Sequence, residues 1–131
     1  MHAPSDPWAK LAPYLLSLLR IVTALLFMQH GAQKLFGLLG ATPVHLISLA
    51  GLAGALEFFG GALVALGLFT RPAAFILSGE MAFAYFMAHF PAGPWPILNR
   101  GELAIMFCFV YFYISAAGAG PISIDRLIHG K

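Results

Sequence analysis

Charge is what this sequence has least of. Seven Lys/Arg and five Asp/Glu make up 9% of 131 residues, with a formal net charge of +2. They are scattered singly, which excludes the basic patch that a nucleic-acid partner would need. Cysteine is nearly absent as well. The single Cys108 can form neither an intrachain disulfide nor a CxxC redox pair. Repeats of solenoid period, low-complexity tracts and an internal linker are also missing, so residues 1–131 read as one domain. The opening MHAPSDPWAKLAPY lacks a basic segment followed by a short apolar core and a small-residue cleavage site, so the first apolar run is expected to be retained.

What fills the chain is hydrocarbon. Hydrophobic residues are 60% of it and the mean hydropathy is +0.86, far above ordinary soluble domains. A bilayer-crossing helix takes roughly 20 apolar residues. Four such runs are present, at about 13–36, 43–69, 73–90 and 101–119. The expected fold is therefore all-α, a bundle of four transmembrane helices. Asp6-Pro7 or Pro13 would start the first helix, and Thr42-Pro43 would cap the second. Four crossings put both termini on one side. Lys10, Arg71, Arg126 and Lys131 then lie on the terminal side, against Lys34 and Arg100 on the other, which orients both termini to the cytoplasm. Trp8 and Trp95 fall at opposite interfaces, as aromatic anchors do.

Inside these runs sit groups that hydrocarbon penalises. Each charged side chain at the bilayer centre opposes insertion by about 2.5 to 3.5 kcal/mol unless paired or neutralised. Counting 1.5 Å of rise per residue, Arg20 and Glu80 come out at similar depth, with Glu57 near the middle of the second span. The expectation is an Arg20–Glu80 pair with Glu57 close by. Arg20, Thr23, Phe27, His30 and Lys34 recur at spacings of three and four and so share one stripe of the first helix. Glu57 shares a face with Ala50, Gly54 and Gly61, small residues that let helices approach in lipid. Glu102 is in phase with Met106, Phe109 and Tyr113. A polar track drawn from Arg20, Glu80 and Glu57 outward would reach His30, Lys34 and Glu102. His89, nine residues beyond Glu80, joins it only if that helix end unwinds.

Each of these has a plainer reading. The Arg20/Glu57/Glu80 set can be an ion-pair network that specifies helix packing rather than a site. Asn99 and Glu102 form N-x-x-E ahead of an apolar run, a capping-box pattern. His30 and Lys34 can be interfacial anchors. His30 and His89 as axial haem ligands, or a His/Glu metal site, are weak signals, and no metal is expected. The second helix's glycines serve packing, and Cys108 is a small buried hydrophobe.

Taken in order, R-x9-HGxxKLFG (Arg20 to Gly37), E-x-x-GG-x5-GLFTRPAA (Glu57 to Ala74), Gly79-Glu80, HFP (His89 to Pro91), NRGE (Asn99 to Glu102) and GxGPISID (Gly118 to Asp125) resemble the DoxX family of small four-helix bacterial membrane proteins. The resemblance covers nearly the whole chain. It implies a bacterial inner-membrane location and a role beside oxidoreductases: the family is named for a subunit associated with thiosulfate:quinone oxidoreduction, and some members are linked to complexes that handle thiols and oxidative stress. Fold transfers across a family better than activity does. No covalent cofactor is expected, since the chain carries no recognisable haem, flavin or nucleotide motif. A quinone or a partner oxidoreductase subunit would have to supply the redox centre.

Three alternative functions are open. As a quinone-interacting subunit, the chain would use Glu57, Glu80 and His30 to handle protons, with Arg20 holding one carboxylate ionised. Phe27 and Phe58 would line the pocket, and Lys34, His89, Asn99, Glu102 and Tyr113 would complete the ligand surroundings. As a binding or proton-coupled transport protein for a small polar solute, it would use the same track, and four spans would give a thin path unless the chain forms a homo-oligomer. As a scaffold that stabilises a partner complex among membrane lipids, it would use its buried charges only to pair helices.

Overall fold

The computed structural model describes residues 6–130, so Lys131 of the charge count lies outside the described residues. Every regular element among them is helical. Asp6 accepts a hydrogen bond from the Trp8 amide, a single 3-10 turn follows, and Pro13 occupies the first turn of α1, Ala12–Phe36. Proline suits that place because its missing N–H would have no helical partner there. α1 stops at Gly37, whose left-handed φ of 66° lets its amide reach back to the Gln33 carbonyl.

The second helix begins later than Thr42-Pro43 suggests. Residues 41–45 are non-helical, and Ser48 is the cap, its hydroxyl accepting from the Gly51 amide. From there α2 spans Leu49–Leu66, with a π-helical stretch at Leu56–Gly60, and ends at Gly67 with φ 69°. α3 spans Thr70–Ala92 and contains a second π stretch at Tyr85–His89. A short α4, Pro96–Asn99, leads into α5, Glu102–Ala117, and a final α6 covers Ile124–His129.

α1 packs along α2, α3 packs along α5, and contacts from α2 to α3 and from α1 to α5 close the ring. Its core is Phe27, Val64, Leu77, Phe107, Tyr111 and Ile114, with Phe27 meeting Phe107 and Tyr111 edge-on at 5.0 and 5.3 Å between ring centres. Such edge-to-face pairs suit the ring quadrupoles. Large apolar side chains cover the outside, Leu15, Leu25, Phe59, Phe75, Phe83 and Phe109 among them. An apolar exterior around helices of this length is the pattern of a protein solvated by lipid. α1, α2 and α3 are each long and apolar enough to cross a bilayer. α5 is a shorter apolar helix of 16 residues.

At Gly31 the backbones of α1 and α2 touch. A Cβ there would lie 2.5 Å from the Phe58 nitrogen and 2.8 Å from the Gly54 carbonyl oxygen, so only glycine allows this approach. The contact lies one turn before Lys34 on α1, against Gly54 and Phe58 on either side of Glu57 on α2, and so brings those two side chains within reach of each other.

Candidate functional site

Arg20 is fully interior at 1% exposure, and its partners are carbonyls. Nε donates to Val64 O at 2.8 Å, Nη1 to Ala119 O, and Nη2 to Ile122 O at 2.7 Å and Ala65 O at 3.4 Å. The expected Arg20–Glu80 pair does not form. Side chains on a helix lean toward its N-terminus, which carries the guanidinium of α1 toward the terminal end of the bundle. There α2 presents the carbonyls of its last turn, Val64 shared with the Gly67 amide, and the negative end of its dipole. Ser17 completes the knot by donating to Ala119 O and accepting from the Ile122 amide. The acid whose charge Arg20 feels is Asp125. Asp125 accepts from the Phe69 and Thr70 amides at 2.9 and 3.0 Å and so caps the start of α3. Partial burial alone would raise its carboxyl; the Thr70 and Phe69 hydrogen bonds and the nearby His129 outweigh that and hold it below the usual carboxylate range.

Further from the termini a different group assembles. Lys34 Nζ reaches both oxygens of Glu57, at 2.8 and 2.7 Å. Glu57 is 1% exposed, whereas about a third of the Lys34 side chain is open, 34%. The lean that draws Arg20 away from the acids brings Lys34 down from the far end of α1 onto them. Glu80 lies close enough to interact electrostatically with both Glu57 and Lys34. Both of its carboxyl oxygens are buried, and neither has a hydrogen-bond partner among the described residues. Two carboxyls thus share one lysine, and a proton carried by Glu80 is placed to be shared with Glu57. A buried polar group left in this condition needs a proton, a ligand or both.

Glu80 and Lys34 are also the charged residues that line a groove of about 500 Å³ between α2 and α3. Leu49, Ala50, Ala53 and Leu56 form one wall, and Ile76, Phe83, Ala84, Met87 and Ala88 the other. Leu52, Ile76, Phe83 and Met87 are more than half exposed, so the groove opens on the outer face of the bundle, toward acyl chains. π-helical turns flank this region, one bearing Glu57 and one starting five residues after Glu80. Such insertions recur at functional sites because the extra residue re-aims the side chains beyond it.

The remaining sequence-derived candidates distribute around this centre. Phe27 is buried in the core, and Phe58 meets Phe36 and Phe59 on the side of α2. His30 is half-buried and edge-on to Phe107, at 6.4 Å. His89, re-aimed by the π stretch it ends, bonds through Nδ1 with the Asn99 carbonyl oxygen and stacks on Tyr85. Asn99 is not the cap of α5, which is Gly101. Its amide donates to the Tyr85 hydroxyl and the Gly93 carbonyl and its oxygen accepts from the Gly101 amide, tying the loop to α3. Glu102 and Tyr113 face outward, Tyr113 at 62% exposure, together with Met106 and Phe109; the inward track through Glu102 is not present. Among the described residues no three His, Cys, Asp or Glu side chains are grouped to hold a metal ion.

The groove walls escape a search for charges, yet they carry a helical signal. Glu80, Phe83, Ala84, Met87 and Ala88 keep the three-four-seven-eight spacing of a single stripe.

A model of the DoxX family matches residues 15–90. An uncharacterised protein of Haemophilus influenzae is 42% identical over 130 residues, covering 93% of this chain and 96% of its own length. No solved structure matches. The matched segment holds α2 and nearly all of α1 and α3, and with them Arg20, Lys34, Glu57 and Glu80; the chain is a membrane protein and belongs to the DoxX family.

Proposed function

We propose that this chain is a quinone-interacting subunit of a membrane oxidoreductase, seated in a bacterial inner membrane with four crossings and both termini in the cytoplasm. The observation that carries the reading is Glu80, a residue of the wall of an apolar groove whose carboxyl is buried just behind that wall, beside Glu57 and Lys34. A volume of about 500 Å³ suits a ring with the start of a tail, since ligand pockets run from about 300 to 1,000 Å³. The donor set suits a quinone as well. Lys34 supplies N–H donors for a ring carbonyl, and Glu80 supplies a carboxyl that holds or releases a proton at a ring oxygen. Glu57 fixes the lysine between them.

When bound, a quinone supplies the two-electron redox chemistry that the side chains of this protein lack. The role of the protein is to orient the ring, keep water out and exchange protons at Glu80, with electrons delivered by a partner subunit. A polar solute would call for an aqueous route through the bundle. The lateral opening beside Leu52, Phe83 and Met87 favours a lipid-soluble ligand instead. α5 completes the fourth crossing despite a length of about 24 Å at 1.5 Å per residue, because a short span is met by local thinning of the bilayer.

Titration of the purified protein with a short-chain quinone analogue tests this reading. Binding at micromolar levels, weakened about tenfold by Glu80→Gln through loss of one charge-assisted hydrogen bond, supports it. Absence of binding to the wild-type protein at such levels contradicts it.

A further inference from the structure

We propose that the terminal end of the bundle holds a second site, for an anionic phospholipid. A groove of about 730 Å³ lies where the start of α1, the start of α3, the end of α5 and the segment leading into α6 converge. Ala12, Pro13, Leu16, Pro72 and Tyr113 give it an apolar floor suited to an acyl chain. Arg71, Arg126 and His129 stand on its rim, and Lys10 lies in the turn just ahead of α1.

The acid in the groove, Asp125, turns its carboxylate to the Phe69 and Thr70 amides, so its charge is spent at the N-terminus of α3. The guanidinium groups of Arg71 and Arg126 are left to dominate the opening. α6 belongs to the same surface. Leu127 and Ile128 are exposed beside Arg126 and His129, the mixture that lies at a headgroup boundary rather than in water or hydrocarbon. Arg71 is held in place by donating to the Ala116 carbonyl. Its guanidinium runs along Gly118, where a Cβ would come within 3.0 Å of Nη2. An arginine so pre-ordered presents its remaining N–H groups to a phosphate in a fixed fork. The occupant is a phospholipid with a net negative headgroup, its phosphate on Arg71 and Arg126 and its chain over Pro13, Leu16 and Tyr113.

The test compares melting of the delipidated full chain in detergent with phosphatidylglycerol, phosphatidylcholine or inorganic phosphate added. The expected result is stabilisation by phosphatidylglycerol with a preference over phosphatidylcholine of about 30-fold in affinity, the factor given by two arginines at roughly 1 kcal/mol each. That preference falls to about fivefold in Arg126→Gln/His129→Gln, since only Arg71 remains. Arg71→Gln serves as a second variant, read by lipid preference rather than by melting alone because Arg71 also ties α3 to α5. Equal effects of the two lipids on the wild type, a preference undiminished in both variants, or reproduction of the whole effect by inorganic phosphate overturns the proposal.

Discussion

The two ends of the bundle each bury charge, and they treat it in opposite ways. Around Arg20 the guanidinium is saturated: Val64, Ala119 and Ile122 accept from it, Ser17 joins the same carbonyl, and Asp125 supplies a nearby negative charge. Around Glu80 the count comes out short. Lys34 gives two of its three donors to Glu57, the Glu80 carboxyl beside it has, among the described residues, only that acid as a close polar neighbour within bonding reach, and a groove opens alongside. A buried charge with every valence used holds elements together. A buried group left incomplete on the wall of a cavity is where a ligand or a proton belongs. Arg20 and Glu80 thus do different work, although both are ionisable groups inside lipid-solvated helices.

Mutations separate the two ends, and the largest effect should come at the saturated one. Arg20→Leu leaves the Ala65 and Ile122 carbonyls without a donor, at about 1 to 3 kcal/mol each, and takes one of two donors from Val64 and Ala119. A loss of roughly 3 to 5 kcal/mol is expected, read as a large drop in melting temperature in detergent, with early hydrogen exchange in residues 118–129. Gly31→Ala comes next. Its Cβ would meet the Phe58 nitrogen and Gly54 oxygen, which are backbone atoms and cannot swing aside. An overpacking cost of about 1 to 3 kcal/mol should appear together with weaker ligand binding, because the same contact sets Lys34 against Glu57.

Asp125→Asn should cost about 1 kcal/mol, the ordinary scale of a lost helix cap. Its pH signature is definite. The carboxyl is held below its unfolded value of about 3.9. Its contribution is therefore present above that pH and is lost as pH falls through the lower folded value. Melting curves of the wild type should show this acid step and those of Asp125→Asn should not. Glu80→Gln should change stability least, by under about 1 kcal/mol, since the amide is neutral, has the same shape and can still donate to Glu57. Its effect should instead fall on quinone affinity.

Much of this is legible in the chain itself. The apolar runs mark the helices, and the stripe from Arg20 to Lys34 does face the other helices: Arg20 and Phe27 are buried and His30 and Lys34 half-buried. Which base meets which acid is not legible. Depth along a helix axis places Arg20 level with Glu80, but it omits the lean of side chains toward the N-terminus and the pull of the carbonyls at the end of α2. π-helical turns hide from a 3.6-residue period too, since each adds a residue and rotates all later side chains by about 100°; that rotation carries His89 to Asn99. α5 is apolar all round, so its phase does not tell that Glu102 and Tyr113 point outward. At the second helix Thr42-Pro43 mimics a start signal, while Ser48 supplies the capping bond.

The central claim is that Glu80 binds and Arg20 builds. The most direct measurement is a quinone-analogue titration paired with a melting curve for wild type, Glu80→Gln and Arg20→Lys under the same detergent conditions. Glu80→Gln is expected to melt with wild type but bind about tenfold more weakly, while Arg20→Lys melts lower and, below its transition, binds as wild type does. Unchanged binding in Glu80→Gln, with binding lost in a folded Arg20→Lys, would contradict it.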